Sequence, residues 1–252
     1  MTYEKPQKKN PHGIIVNQHI FPARSIERFA NSKGTVDVKL IKQNKIIKLP
    51  PSDPLFCAKR RWDQRAETGY MKTIEDSFQS LASSIINVRV TSLEDMDCRI
   101  ATDFFALWSL RHFRNENPIQ DVQLKGIMSG KSLSKDDKER LEKNHALFVE
   151  GDMDALVPGR FMTGLNIQIN IDRMRSQIGK LRWGIVRSIE GEFIVPESFS
   201  THAIIPISPT VILLGDSTNL LIPRSEVAKV NKLAVSHCRN YYFARNLQNC
   251  PL

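Results

Sequence analysis

The sequence lacks long hydrophobic runs. Although 41% of its 252 residues are hydrophobic, no segment approaches the roughly 18 consecutive apolar residues of a transmembrane helix. The opening stretch, MTYEKPQKKN, also lacks the apolar segment that a secretory signal requires. We therefore expect a cytoplasmic protein with no membrane among its partners.

Cysteine is scarce, and neither cysteine nor histidine occurs at a metal-binding spacing. The four cysteines are Cys57, Cys98, Cys238 and Cys250. No two of them have the spacing of a zinc knuckle or a redox motif, and no two histidines have helical ligand spacing. We expect reduced thiols, no metal and no cofactor. One alternative is a reactive thiolate at Cys57, which the basic stretch 59–61 would stabilise.

Positive charge is concentrated in one part of the chain. Lys and Arg number 36 against 27 Asp and Glu, which gives a net charge of +9. Residues 1–65 contain 14 basic and 5 acidic side chains, whereas residues 66–252 contain 22 of each. The overall composition is that of a globular protein and excludes wholesale disorder. The local charge favours an acidic partner, in the first place a nucleic acid.

The first part of the chain predicts an arm followed by a hairpin. Residues 1–13 are basic and contain few apolar groups, which predicts a flexible basic arm. Residues 14–252 are predicted to form a single α+β domain. Apolar and polar residues alternate over 36–40, and an apolar run returns over 46–49, so a β-hairpin is expected there.

Two amphipathic helices are predicted after the hairpin, over 68–87 and 92–113. The apolar stripe of the first is formed by Ile74, Phe78, Leu81 and Ile85. The stripe of the second is formed by Met96, Ile100, Phe104, Leu107 and Trp108. Arg111 falls only about 20° from Phe104 in helical projection, so its guanidinium points towards the core. A cation placed there requires a carboxylate or an anionic ligand.

The second half of the chain changes from helices to strands. A helix capped by Ser134 is predicted to continue through Phe148, and another is predicted over 165–181. From Trp183 the pattern predicts a hairpin with a turn at 190–191, two further strands, a helix over 225–238 and a last strand. The fold class is therefore α+β, with an N-terminal β-hairpin and helices, and C-terminal antiparallel strands with a final helix.

Several short motifs resemble those of one bacterial family. In the first half they are Asn17-Gln18-His19-Ile20-Phe21-Pro22, then Ile26 and Phe29, FCAKRRW, Ile74-Glu75 and the helix over 104–111. In the second half they are Trp183, Phe193-Ile194, Pro206-Ile207-Ser208-Pro209 and Glu226-Val227 to Asn231. This pattern resembles the proteins grouped as domain of unknown function 4238. The resemblance covers nearly the whole chain. It implies a role in bacterial conflict and phage defence without specifying a reaction.

Three of the matched residues form a candidate catalytic set: His19, Glu75 and Arg111. Metal-independent RNA cleavage needs a proton shuttle, a carboxylate base and a fixed cation for the phosphorane charge, and these residues are of those types. Two alternatives stay open. Glu75 and Arg111 could form a buried bridge that only fixes the helix register, and His19 could simply anchor a loop by hydrogen bonding.

Basic residues interleaved with aromatic ones form a candidate nucleic-acid patch. Its members are Arg24, Arg28, Lys59, Arg60, Arg61, Trp62 and Arg65. The cations would bind phosphates and Trp62 would stack on a base. The alternative is a solvated charged surface around a buried Trp62.

Together these patterns predict a nucleic-acid-binding effector that prefers RNA or single strands. It would act as a metal-independent nuclease in bacterial anti-phage defence or in a toxin system. The leading alternative is a non-catalytic module that senses or recruits nucleic acid or protein. A third is a regulator whose basic face binds an acidic protein.

Overall fold

Helices and strands follow one another irregularly along the chain. The computed structural model describes residues 3–127, 130, 132–151, 154–178, 181–199 and 202–252. Within these residues the helices are α1 (Ala23–Glu27), α2 (Gln64–Thr68), α3 (Tyr70–Ile86), α4 (Asp95–Glu116), α5 (Lys135–Lys143), α6 (Gly159–Ile178) and α7 (Arg224–Ser236). The strands are β1 (Asn17–His19), β2 (Val36–Leu40), β3 (Lys45–Leu49), β4 (Cys57–Lys59), β5 (Val122–Leu124), β6 (Ala155–Val157), β7 (Trp183–Ser188), β8 (Val195–Pro196), β9 (Ile204–Ser208), β10 (Val211–Gly215), β11 (Leu220–Ile222) and β12 (Tyr241–Ala244). The predicted α+β class is confirmed.

The long helices α3, α4 and α6 pack side by side. α4 lies between the other two and contacts both. Both predicted amphipathic helices are present, and Phe78 of α3 stacks on Phe104 of α4 with ring centroids 3.7 Å apart. The apolar stripe of α4 begins later than predicted, because Met96 in its first turn is 63% exposed. Arg111 is buried, as its position on the stripe predicts.

Helix α5 is shorter than predicted. Ser134 caps it as expected, since its hydroxyl oxygen accepts a hydrogen bond from Asp137 N at 3.1 Å. The predicted continuation to Phe148 is wrong, because the helix ends at Lys143. His145 has a φ of 65°, a left-handed conformation that does not continue a right-handed helix.

The predicted N-terminal hairpin is present and forms part of a larger sheet. Strands β2 and β3 pair antiparallel. β12 pairs with β2, and β8 pairs with β12, which gives the order β3-β2-β12-β8. Segments far apart in sequence therefore share one sheet, and Phe243 of β12 lies opposite Val38 of β2 in its buried part.

The second sheet has the order β11-β7-β10-β9, and all its pairs are antiparallel except β11 with β7. The predicted hairpin between the Trp183 strand and Phe193–Ile194 is wrong. β7 pairs with β10 and β11, and the chain passes to the other sheet at β8. Two short pairs, β1 with β4 and β5 with β6, were not predicted.

A buried side chain explains why residues 192–194 form no hairpin strand. Asn231 of α7 accepts a hydrogen bond from Ile194 N at 2.8 Å through Oδ1. Its Nδ2 donates to the carbonyl oxygens of Glu192 at 2.9 Å and Pro251 at 3.0 Å. The amide therefore satisfies backbone groups that a neighbouring strand would otherwise pair.

Residues 3–13 lie against α5 and α6, whereas the sequence predicts a flexible arm over 1–13. Gln7 N donates to Glu139 Oε1 at 2.7 Å, across a separation of 132 residues. His12 Nε2 lies 2.7 Å from Asp136 Oδ1. The composition of residues 1–13 does not reveal these partners, because they lie on α5, far from the N-terminal segment in sequence. Residues 1 and 2 lie outside the described part of the predicted arm.

The hydrogen bonds of Asn231 predict a large effect on stability. We expect Asn231→Leu to lower the free energy of unfolding by roughly 3 kcal/mol, because three buried backbone groups lose their partner. Urea unfolding measures the change. The control is Lys232→Ala at the exposed neighbouring position, with an expected change within about 0.5 kcal/mol. Equal losses in both variants would contradict this account.

Candidate active site

The centre of the candidate site is Arg111 of α4, whose side chain is only 1% exposed. Its Nη1 donates a hydrogen bond to Glu75 Oε1 on α3, so the expected ion pair is present. Its Nη2 lies 3.6 Å from Glu67 Oε2 on α2. The guanidinium carbon lies 5.2 Å from the ring centroid of Trp62. One buried cation therefore joins two carboxyl groups and an aromatic ring.

Glu67 is the member of the site that sequence reasoning missed. Asp63 caps the short helix α2 by accepting a hydrogen bond from Ala66 N at 2.9 Å. Trp62 Nε1 donates to Glu67 Oε2. Burial raises the pKa of Glu67, although the charge of Arg111 and the bond from Trp62 act in the opposite direction. The Asp63 cap could have located the helix from sequence, but not the contact of Glu67 with Arg111.

His19 lies on β1, whose antiparallel pairing with β4 places it opposite Cys57. Its Nε2 is 3.1 Å from the carbonyl oxygen of Pro51. This is the contact expected if His19 anchors a loop by hydrogen bonding. Its charge also acts on Glu67 and lowers the pKa of that carboxyl group. This effect is the smallest of those acting on Glu67. Among the described residues, no hydrogen bond or ion pair joins His19 to Glu67, Glu75 or Arg111.

The two carboxyl groups are accessible, whereas the cation is not. The side chains of Glu75 and Glu67 are 25% and 15% exposed, and Arg111 is enclosed beside them. The predicted role of Arg111 as the fixed cation for the phosphorane charge is not supported, because burial prevents a substrate phosphate from contacting the guanidinium directly. The geometry gives Arg111 the role of orienting both groups. The site thus places an ion-paired carboxylate, Glu75, beside a second carboxyl group whose pKa burial raises, Glu67.

Two members of the predicted nucleic-acid patch are buried. Trp62 is 0% exposed, so its predicted stacking on a base is wrong, because the ring packs within the core and against Arg111. The side chain of Arg60 is 1% exposed and pairs with Glu142 at 2.7 Å. It therefore cannot bind phosphate at an open surface. Its partner is 82 residues away in sequence, beyond the reach of local patterns.

The other members of the patch differ in accessibility. Arg28 hydrogen-bonds to α3, and burial lowers its pKa to about 10, so it stays protonated at neutral pH. The side chains of Arg24 and Arg65 are 66% and 42% exposed. Lys59 and Arg61 are half-buried. Phosphate binding at the surface is therefore restricted to these accessible residues.

The thiol of Cys57 is not activated. Burial raises its pKa to about 11, against the opposing charge of Lys59. The thiol is therefore protonated at neutral pH, and the alternative of a reactive thiolate is wrong. The four cysteines are free, as expected from their spacing.

Comparison with known proteins finds no match. No protein-family model fits the chain, and neither a curated protein nor a solved structure matches it. The resemblance to domain of unknown function 4238 therefore stays a prediction. In the described part of the chain, no helix has the length and apolar character to cross a membrane. The same residues contain no group of three or more His, Cys, Asp or Glu side chains that could hold a metal ion.

The raised pKa of Glu67 predicts a pH-dependent stability. Unfolded Glu67 ionises near pH 4.5, and the folded side chain keeps its proton to higher pH. The wild type therefore loses stability as the pH rises from the unfolded pKa to the folded pKa. The Glu67→Gln variant has no carboxyl group at this position, so its stability lacks this dependence on pH. Above pH 4.5, its free energy of unfolding relative to wild type should rise by up to about 1.4 kcal/mol per pH unit.

Urea unfolding from about pH 4 to about pH 8 measures this difference. The matched control is Glu226→Gln on α7, which removes a carboxyl group that is 45% exposed. We expect its difference from wild type to stay nearly constant with pH. A constant difference for Glu67→Gln as well would contradict the raised pKa.

Proposed function

We propose that the protein is a nucleic-acid-binding effector that cleaves RNA without a metal ion, as part of bacterial anti-phage defence or a toxin system in the cytoplasm. The observation that carries the proposal is the contact of Arg111 with Glu75 and Glu67, two carboxyl groups that solvent reaches. The resemblance described above supports the biological setting. The concentrated charge of residues 1–65 supports an acidic polymer as partner.

Glu75 is the general base in this proposal. It takes the proton of the ribose 2′-hydroxyl, whose oxygen then forms a bond to phosphorus while the bond from phosphorus to the 5′-oxygen breaks. His19 donates a proton to the leaving 5′-oxygen. The products are a 2′,3′-cyclic phosphate and a 5′-hydroxyl, so no metal, water or redox partner is consumed. Arg111 acts as a positioning residue that orients Glu75.

Accessible basic side chains would guide the substrate to this site. The side chain of Arg24 on α1 lies 3.9 Å from Asp76, the residue after Glu75. The hairpin β2–β3 carries exposed lysines at positions 42, 45 and 48. Since phosphate contacts release counterions, binding should weaken steeply as salt concentration rises. These accessible cations favour nucleic acid over an uncharged ligand, and single strands fit a site that must reach the ribose.

A second candidate function is a non-catalytic module that senses or recruits nucleic acid or protein. The burial of Arg111 to 1% exposure favours it. A guanidinium enclosed between α3 and α4 can fix the register of the two helices without any part in catalysis. In that case Glu75 is structural and the basic surface binds a partner without cleaving it.

A comparison of RNA cleavage by the wild type and by Glu75→Gln distinguishes the nuclease from the non-catalytic module. In EDTA, we expect the wild type to cut a single-stranded RNA to 2′,3′-cyclic phosphate ends and to leave the corresponding DNA intact, because DNA lacks the nucleophile. Glu75→Gln should lower the cleavage rate by about 10²–10⁴-fold through loss of the base. The matched control is Asp76→Asn, which removes the next carboxylate on α3, with a side chain 51% exposed. Its rate should stay close to that of wild type.

Thermal unfolding of both variants checks that the fold is retained. RNA bound but uncut by the wild type would favour the binding module. An acidic protein bound with no affinity for RNA would favour the same module with a protein partner. Equal cleavage rates in wild type and Glu75→Gln would remove Glu75 from the mechanism.

A further inference from the structure

A second concave surface lies outside the candidate active site. It is a pocket of ≈ 480 Å³ between the N-terminal segment, the residues after β4, the loop after α4 and the start of α6. Its charged lining residues are Glu4, Arg60, Arg61, Asp121, Glu150 and Arg160, and Glu150 is paired with Lys138 at 3.0 Å. None of His19, Glu67, Glu75 and Arg111 lines it.

The pocket contains two buried guanidinium groups that share one buried carboxylate. The side chains of Arg60 and Arg160 are 1% and 10% exposed. Arg60 Nη2 lies 2.7 Å and Arg160 Nε lies 2.9 Å from the same oxygen, Glu142 Oε2. A single carboxylate cannot neutralise two cations. A further anion is therefore required beside them.

Glu4 supplies that anion from within the chain. Its Oε2 lies 2.7 Å from Arg160 Nη1 and 3.8 Å from Arg60 Nη1. Unlike Glu142, which is 1% exposed, the Glu4 side chain is 38% exposed. An ion pair so open to water is weak. Glu4 can therefore be displaced by an anion with more charge and more acceptor oxygens.

Hydrogen-bond donors remain unused around the same place. Arg160 Nη2, Arg60 Nε and Arg61 Nε are buried and have no hydrogen-bond partner among the described residues. Arg61 forms no ion pair in that part of the chain either. The start of α6 adds the positive end of a helix dipole, although Asp121 Oδ1 already accepts from Gly159 N at 2.7 Å. Guanidinium groups that line a pocket favour phosphate, which accepts several hydrogen bonds at once.

We propose that this pocket binds a nucleoside monophosphate, whose phosphate replaces the Glu4 carboxylate beside Arg160 and pairs with Arg61. The volume of ≈ 480 Å³ leaves room for a sugar and a base, within the usual range of small-molecule sites. Tyr3 lines the same pocket, and in this proposal its ring stacks on the base. This inference does not depend on cleavage by Glu75.

Isothermal titration with adenosine 5′-monophosphate at low salt tests the proposal. We expect the wild type to bind this nucleotide more tightly than inorganic phosphate. We expect no measurable binding of adenosine, which lacks the phosphate. Glu4→Gln removes the competing carboxylate and should tighten binding roughly fivefold. Arg61→Gln should weaken binding about tenfold through loss of a charged donor. Arg61 is suited to this test because its loss leaves the buried pair of Arg60 with Glu142 intact.

The control for charge is Arg224→Gln on α7, whose side chain is 50% exposed and which does not line the pocket. It should bind the nucleotide as the wild type does. Unchanged affinity in Arg61→Gln, or no binding even by Glu4→Gln, would overturn the proposal. So would adenosine binding as tightly as its monophosphate. Glu75→Gln should still bind the nucleotide. Loss of nucleotide binding in Glu75→Gln would place the ligand at the candidate active site instead of this pocket.

Discussion

The buried guanidinium of Arg111 is the constraint on which the arrangement of α2, α3 and α4 depends. Removing a charge of this size from water costs several kcal/mol even after the protein relaxes. Glu75 on α3 and Glu67 on α2 offset that cost, and the ring of Trp62 covers the cation at 5.2 Å. Three separate elements must therefore hold one geometry, because any shift leaves a charge buried without its partner.

The same arrangement recurs between other helices. Arg175 of α6 binds Asp103 of α4 through two bonds, Nε to Oδ1 and Nη2 to Oδ2, both at 2.9 Å. Glu142 of α5 joins Arg160 of α6 to Arg60. Apolar packing alone allows neighbouring helices to slide by a turn, but bidentate pairs have a fixed direction. The helical layer is thus aligned by arginine and carboxylate pairs, and the Glu67 and Glu75 cluster is part of that alignment.

Local patterns predicted some of this arrangement. Helical spacing located α3 and α4, and the position of Arg111 on an apolar stripe indicated a buried cation that needs a carboxylate. Spacing could not identify Glu67, because its role depends on where the Trp62 indole points. The path of residues 192–194 was missed for a similar reason. A turn signal predicts a hairpin, and only the tertiary position of Asn231 shows that a side chain satisfies that backbone instead.

The positive charge of residues 1–65 therefore has two separate effects: part of it is paired inside the protein, and part is accessible to a partner. Arg60, Arg61 and Trp62 are consecutive, yet Arg60 is neutralised by Glu142, Arg61 lines the second pocket, and Trp62 covers Arg111. Charge that is paired internally adds nothing to the attraction of a distant polyanion, although it still sets local affinity for a small anion. The long-range field must come from accessible cations, which include Arg24 of α1 and the exposed lysines of the N-terminal segment and of the β2–β3 hairpin. Guidance of a polymer and recognition of a single phosphate thus depend on different residues of the same basic quarter.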